Sequence, residues 1–155
     1  MAVTNSGWSV KTLNKRVVAV CRVSADTSDT DLPTPKFPPE IDLAKPFNVI
    51  INVSEDMTAA SSGYMDVHGG YASDFSLTGG TSLTTVSGVE MFATTTDLDA
   101  GGVFSLRVIP GPTGVAQVTT MPGGLAVIPP MPYLALNYDS AALQDAAYVD
   151  FIVVQ

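Results

Sequence analysis

Several short runs of this chain are apolar at alternate residues and are then cut off by glycine or proline. "FNVIINV" (47–53) places Phe47, Val49, Ile51 and Val53 on one side and Asn48, Ile50 and Asn52 on the other. A period of two belongs to a strand with one face in a core, and it excludes an amphipathic helix over the same residues. Residues 17–23, 89–96, 102–109, 115–120, 125–128, 133–138 and 147–154 read the same way. Residues 63–77 read as two strands turning at Gly69-Gly70, a common tight-turn pair. The result is roughly eight to ten strands with turn signals every ~8–12 residues, the pattern of a sandwich or barrel. The expected fold is all-β, an antiparallel, jelly-roll-like β-sandwich. The last run contains Phe151, Ile152, Val153 and Val154, apolar on both sides, and is expected to be a central, paired strand.

The chain of 155 residues suits one domain with a sizeable core. Residues 1–16 hold few apolar anchors beyond Trp8, Val10 and Leu13 and read as an extended N-terminal arm, with residues 17–155 as the sandwich domain. Within it, residues 24–46 carry Asp26, Asp29 and Asp31 and then Pro33, Pro35, Pro38, Pro39 and Pro46. Proline removes backbone donors and resists helix and central strand, so this stretch reads as a long extended connection. It is expected on the surface, ordered against a partner, because polar backbone is costly to bury. Residues 139–146 read as a loop with room for one helical turn.

Charged residues make up 14% of the chain, below the usual quarter, which suggests that much of its surface faces other protein. The net charge of −8 speaks against nucleic acid, whose binding draws on many Lys and Arg. Four of the seven basic residues, Lys11, Lys15, Arg16 and Arg22, cluster near the N-terminus. They read either as a solvated strand face or as a docking patch for an acidic protein surface. Cys21 stands alone, so no intrachain disulfide forms, and it reads as a small buried hydrophobe. No apolar run reaches the length of a signal-peptide core or a membrane span, and synthesis in the cytoplasm without export or membrane association is expected.

Reactive groups are sparse. His68 is the single histidine and, beside Gly69-Gly70, is expected in a turn or at the surface. Glu55-Asp56 and the pair Asp97 and Asp99 are carboxylates that neighbour each other in sequence, but acid–base work needs carboxyls that face each other across a cleft. "TDLDAGG" (96–102) has the opening of a calcium loop without its later ligands and reads as a β-turn. No phosphate loop, nucleophile elbow or Cys/His cluster occurs. The expectation is a protein that is not an enzyme and takes no cofactor or metal.

The order of segments carries one further signal. "FNVIINVSEDMTA", "GYASDFS", "DLDAGGVFSLRVIPG" and "PYLALNYD", followed by an apolar last strand, together resemble the capsid cement, or head decoration, proteins of tailed phages. Tyr133, Leu134, Leu136, Asn137 and Tyr138 carry the strongest match, and the resemblance spans about residues 47–155. It implies a structural protein on the exterior of a virion, bound to the lattice of the major capsid protein as a homo-oligomer, a trimer at threefold positions. Trp8, Lys11, Lys15 and Arg16 are the expected docking residues, with Trp8 as a buried anchor and the cations around it. Two alternatives stand beside this: a carbohydrate- or receptor-binding module using Trp8, Tyr64 and Tyr71 as a platform, and a tail or connector component.

Overall fold

Strict alternation governs the middle of the molecule. The computed structural model describes residues 4–24, 31–54, 63–75, 77–78, 84–85, 89–93, 102–111, 124–140 and 148–155. The strands in chain order are β1 (Thr4–Asn5), β2 (Ser9–Leu13), β3 (Arg16–Ser24), β4 (Asp31–Pro33), β5 (Phe47–Val53), β6 (Gly63–Gly70) and β7 (Leu77–Thr78). They continue with β8 (Thr84–Thr85), β9 (Val89–Ala93), β10 (Gly102–Pro110), β11 (Gly124–Ile128), β12 (Tyr133–Ser140) and β13 (Tyr148–Val154). Among the described residues there is no helix. Two sheets form the body. The larger has the order β1-β3-β13-β5-β10-β11, with β2 also paired to β3, and the smaller has the order β4-β12-β6-β9. All pairings are antiparallel except β10 with β11, which is parallel. This is a β-sandwich, as the alternation implies. The jelly-roll part of the expectation finds no support in this strand order.

β13 is central, between β3 and β5, as expected. Its register places Val149 between Val23 and Val53, Phe151 between Cys21 and Ile51, and Val153 between Ala19 and Val49. These inward side chains are buried, and from the smaller sheet Met65, Val67, Leu134, Leu136 and Tyr138 join them in one core. Each such aliphatic or aromatic side chain contributes roughly 1.5–3 kcal/mol by leaving water. Cys21 is part of this layer, and burial pushes its thiol up to about 11, which keeps it protonated and inert.

Residues 4–16 do not project from the domain. β1 pairs with the end of β3, and β2 pairs with its first half through the turn at Asn14 and Lys15. Both turn residues have positive φ, 49° and 66°, which suits the right-handed twist of a two-residue hairpin.

The proline-rich connection departs most from expectation. Residues 25–30 lie outside the described residues, and the rest is only partly at the surface: Leu32, Thr34, Phe37 and Ile41 are buried, whereas Lys36, Pro39, Glu40, Asp42 and residues 44–46 are exposed. β4 pairs with the edge of β12, and beyond it the Thr34 and Phe37 amides donate to the carbonyls of Leu136 and Leu134 at 2.8 and 2.7 Å. Proline has no N–H to satisfy, which lowers the number of donors that burial along this edge must pair. Phe37 then meets Phe47 on one side and Trp8 on the other, both edge-to-face with centroids 5.4 Å apart. The Trp8 Nε1–H donates to the Pro35 carbonyl at 3.0 Å. Gln155 ties down the far end: its side chain accepts from the Asp42 amide at 2.8 Å and donates to the Asp42 carbonyl at 2.7 Å.

Trp8 therefore fastens the proline segment to the core. Trp8→Ala is expected to lower unfolding free energy by about 2–3 kcal/mol, and Trp8→Phe, which keeps the ring and loses the hydrogen bond, by about 1 kcal/mol. Urea titrations of the three proteins check this ordering, and equal stability of all three would contradict it.

Candidate interaction surface

The strands of the larger sheet alternate, so their second set of side chains faces away from the core. Three rows cross this outer face. One runs Lys11, Val18, Val154, Asn48, Arg107, Leu125 through the successive pairings of β2, β3, β13, β5, β10 and β11. The next runs Ser9, Val20, Ile152, Ile50, Ser105, and the third Arg22, Asp150, Asn52, Val103. The middle of the face is thus aliphatic, with Val18, Val20, Ile50, Ile152 and Val154 half-buried. Three apolar side chains at its periphery are open to water: Leu13 is 59% exposed, Val103 67% and Leu125 43%. Two shallow depressions mark it, one of about 310 Å³ between Lys11, Leu13 and Val20 and one of about 320 Å³ between Ile50, Arg107 and Val154.

Charge on this sheet is one-sided. Its seven strands contain a single acid, Asp150, against Lys11, Arg16, Arg22 and Arg107, with Lys15 in the β2–β3 turn. Arg22 takes up that acid through two contacts, Nε to Oδ1 at 2.6 Å and a terminal nitrogen to Oδ2 at 2.7 Å, and lies over the Tyr148 ring at 4.0 Å. The Asp150 carboxylate holds the guanidinium above its ordinary pKa. Lys11, Lys15 and Arg16 are exposed and make no ion pair among the described residues.

The four residues expected to dock a partner do not form one patch. Lys11 lies on the outer side of the hairpin, with Lys15 and Arg16 exposed at its tip, whereas Trp8 turns inward against Phe37 and Pro35. An odd spacing along an extended strand sends Trp8 and Lys11 to opposite faces. The remaining members of the outer face escaped the expectation, although a signal for them existed. Val18, Val20, Ile152 and Val154 make β3 and β13 apolar on both faces, which is the mark of strands covered on both sides.

His68 corrects a second expectation. Gly69 and Gly70 are not a turn but the last residues of β6, paired with Leu134 and Tyr133 of β12, and the chain turns instead at 72–75. His68 is buried, 3% exposed, in register with Ala135 and Glu90. Its Nε2 lies 4.0 Å from Asp66 Oδ2, beyond a hydrogen bond, and neither ring nitrogen has a hydrogen-bond partner among the described residues. Burial pushes its pKa down to about 4. Glu55-Asp56 and Asp97 with Asp99 lie outside the described residues, and among the described ones no three metal-ligating side chains come together. Tyr64 lies near the start of β6 and Tyr71 just beyond its end, so the length of the strand, ~23 Å, separates them and they do not form one sugar platform.

A cavity of about 860 Å³ forms a groove between the proline segment and residues 130–133, lined by Phe37, Pro38, Ile41, Met131 and Tyr133. Its two charged side chains are engaged. Lys36 donates to the Ser73 carbonyl at 2.6 Å, and Asp42 pairs with Lys45 at 3.0 Å, which holds the Asp42 carboxyl below its usual range. No protein-family model matches the chain, and no curated protein matches it.

The depressed pKa of His68 has a definite sign. The unfolded chain binds a proton near pH 6.5 and the folded chain only near pH 4, so the neutral ring's full contribution is present above pH 6.5 and is lost as pH falls through that window. The loss amounts to about 3 kcal/mol at most. His68→Gln is expected to flatten the pH dependence of unfolding free energy between pH 6.5 and 4 relative to the parent chain. Parallel curves from denaturant titrations would contradict the assignment.

Proposed function

We propose that this chain is a structural protein of a tailed-phage head, a decoration protein bound to the outer surface of the major capsid protein lattice. The observation that carries the reading is the cationic β2–β3 hairpin. Lys11, Lys15 and Arg16 stand exposed on a rigid sandwich, on a chain whose net charge is −8. Positive charge concentrated on an acidic protein has little intramolecular use here, and it would steer the chain toward an acidic protein surface. The order of segments over residues 47–155 supports the capsid assignment, and the trimeric state belongs to the same proposal. A lattice of identical sites suits such a protein, because each copy adds modest binding and oligomerisation raises it through effective concentration. The role needs rigidity and a complementary surface, and no catalytic group or cofactor.

Shells assembled from the corresponding major capsid protein test this. The chain is expected to saturate them at a fixed stoichiometry, and the triple variant Lys11→Glu/Lys15→Glu/Arg16→Glu to bind at least tenfold more weakly. Most of that loss belongs in the association rate and should shrink at high salt. A parent chain that leaves shells undecorated, or a triple variant that binds as the parent does, would overturn the proposal.

A further inference from the structure

We infer that the whole outer face of the seven-stranded sheet, not the hairpin alone, is a docking surface for a protein whose contact area is apolar at its centre and acidic around it. The inference rests on the decoration reading for the identity of the partner but not for the chemistry of the face. The first argument is charge. Five of the seven basic residues lie on this sheet or in its β2–β3 turn, and the one acid on its strands is already held by Arg22. The second is layout. The aliphatic rows through Val20, Ile152 and Ile50 are flanked by Lys11 and Arg16 at one edge and Arg107 at the other. An apolar centre with a polar, charged rim is the anatomy of a protein interface.

The third argument is size. Six strands at their usual spacing span ~24 Å, and the outward residues of β3 span ~20 Å, a flat footprint of ~500 Å². Side-chain relief brings that toward the ~800 Å² per partner of a standard interface. A second copy meeting this face with its own would set cations against cations. A duplex would gain nothing from the aliphatic rows, since phosphate binding is carried by charge. A bilayer would strand Asn48, Asn52, Ser9 and Ser105, whose polar groups a protein partner can hydrogen-bond.

The test uses positions at the edge remote from the hairpin, where exposure makes substitution compatible with the fold. Val103→Glu and Leu125→Glu are each expected to keep the parent melting temperature and to weaken shell binding at least tenfold. If they bind like the parent while the hairpin triple variant does not, the extended face is wrong and the decoration reading stands. A second arm is independent of shells. The full-length chain, isotope-labelled for nuclear magnetic resonance, is titrated with a synthetic amphipathic helix bearing a leucine stripe flanked by glutamates. Shifts at Val18, Val20, Ile152, Arg107 and Leu125 that vanish in Leu125→Glu support the face even if shells are never decorated. No shifts, or shifts confined elsewhere, overturn it. Tighter binding of duplex DNA or of phosphatidylserine vesicles to these residues overturns the assignment to a protein partner.

Discussion

The pairing of β13 with both β3 and β5 is the constraint on which the rest of this molecule depends. Because side chains alternate strictly, one register fixes two surfaces at once. Val149, Phe151 and Val153 enter the core, and Asp150, Ile152 and Val154 are delivered to the outer face. A slip of a single residue would exchange the two sets, placing Asp150 against Ile51 and Cys21 and exposing Phe151. The hydrophobic penalty of that exchange makes the register unambiguous. The same penalty sets the arrangement of the outer face, since its rows are the leftover half of each strand.

A second layer of organisation comes from the proline segment. It closes the sandwich edge along β12, and it is held from two directions: by Trp8 through a ring contact and a hydrogen bond, and by Gln155 through its side-chain amide. Residues near both ends of the chain thus grip the same segment. That arrangement explains how residues with few apolar anchors of their own become part of one folded body, and why β2 presents its cations in a fixed geometry. A charged hairpin held this way loses little backbone freedom on meeting a partner, which favours binding.

Charge is segregated along with polarity. The larger sheet and its β2–β3 turn hold five of the seven cations, while fourteen of the fifteen acids lie elsewhere in the chain. Folding turns an acidic sequence into a molecule with one cationic, partly aliphatic face. The buried His68 belongs to the other sheet and to a different problem. It is neutral at ordinary pH and sits among close-packed strands, so its role is in folding stability and its pH dependence.

The sequence by itself determined the all-β class, the positions of most described strands and the central place of the last one. Those follow from a period of two and from apolar residues on both sides of β13, which are local properties of the chain. It also marked Lys11, Lys15 and Arg16 as a charged cluster. It misplaced Trp8, His68 and the buried part of the proline segment, each for the same physical reason: burial there is conferred by a partner distant in sequence. Trp8 is inward because Pro35 and Phe37 lie beneath it, and His68 is inside because β6 continues past Gly69 along β12 instead of turning. Leu32 and Phe37 are buried because the edge of β12 offers carbonyls to the few donors that the prolines leave. Strand identity is written in nearest neighbours, whereas the face of a strand that meets water depends on pairings separated by a hundred residues, and only the tertiary structure supplies those.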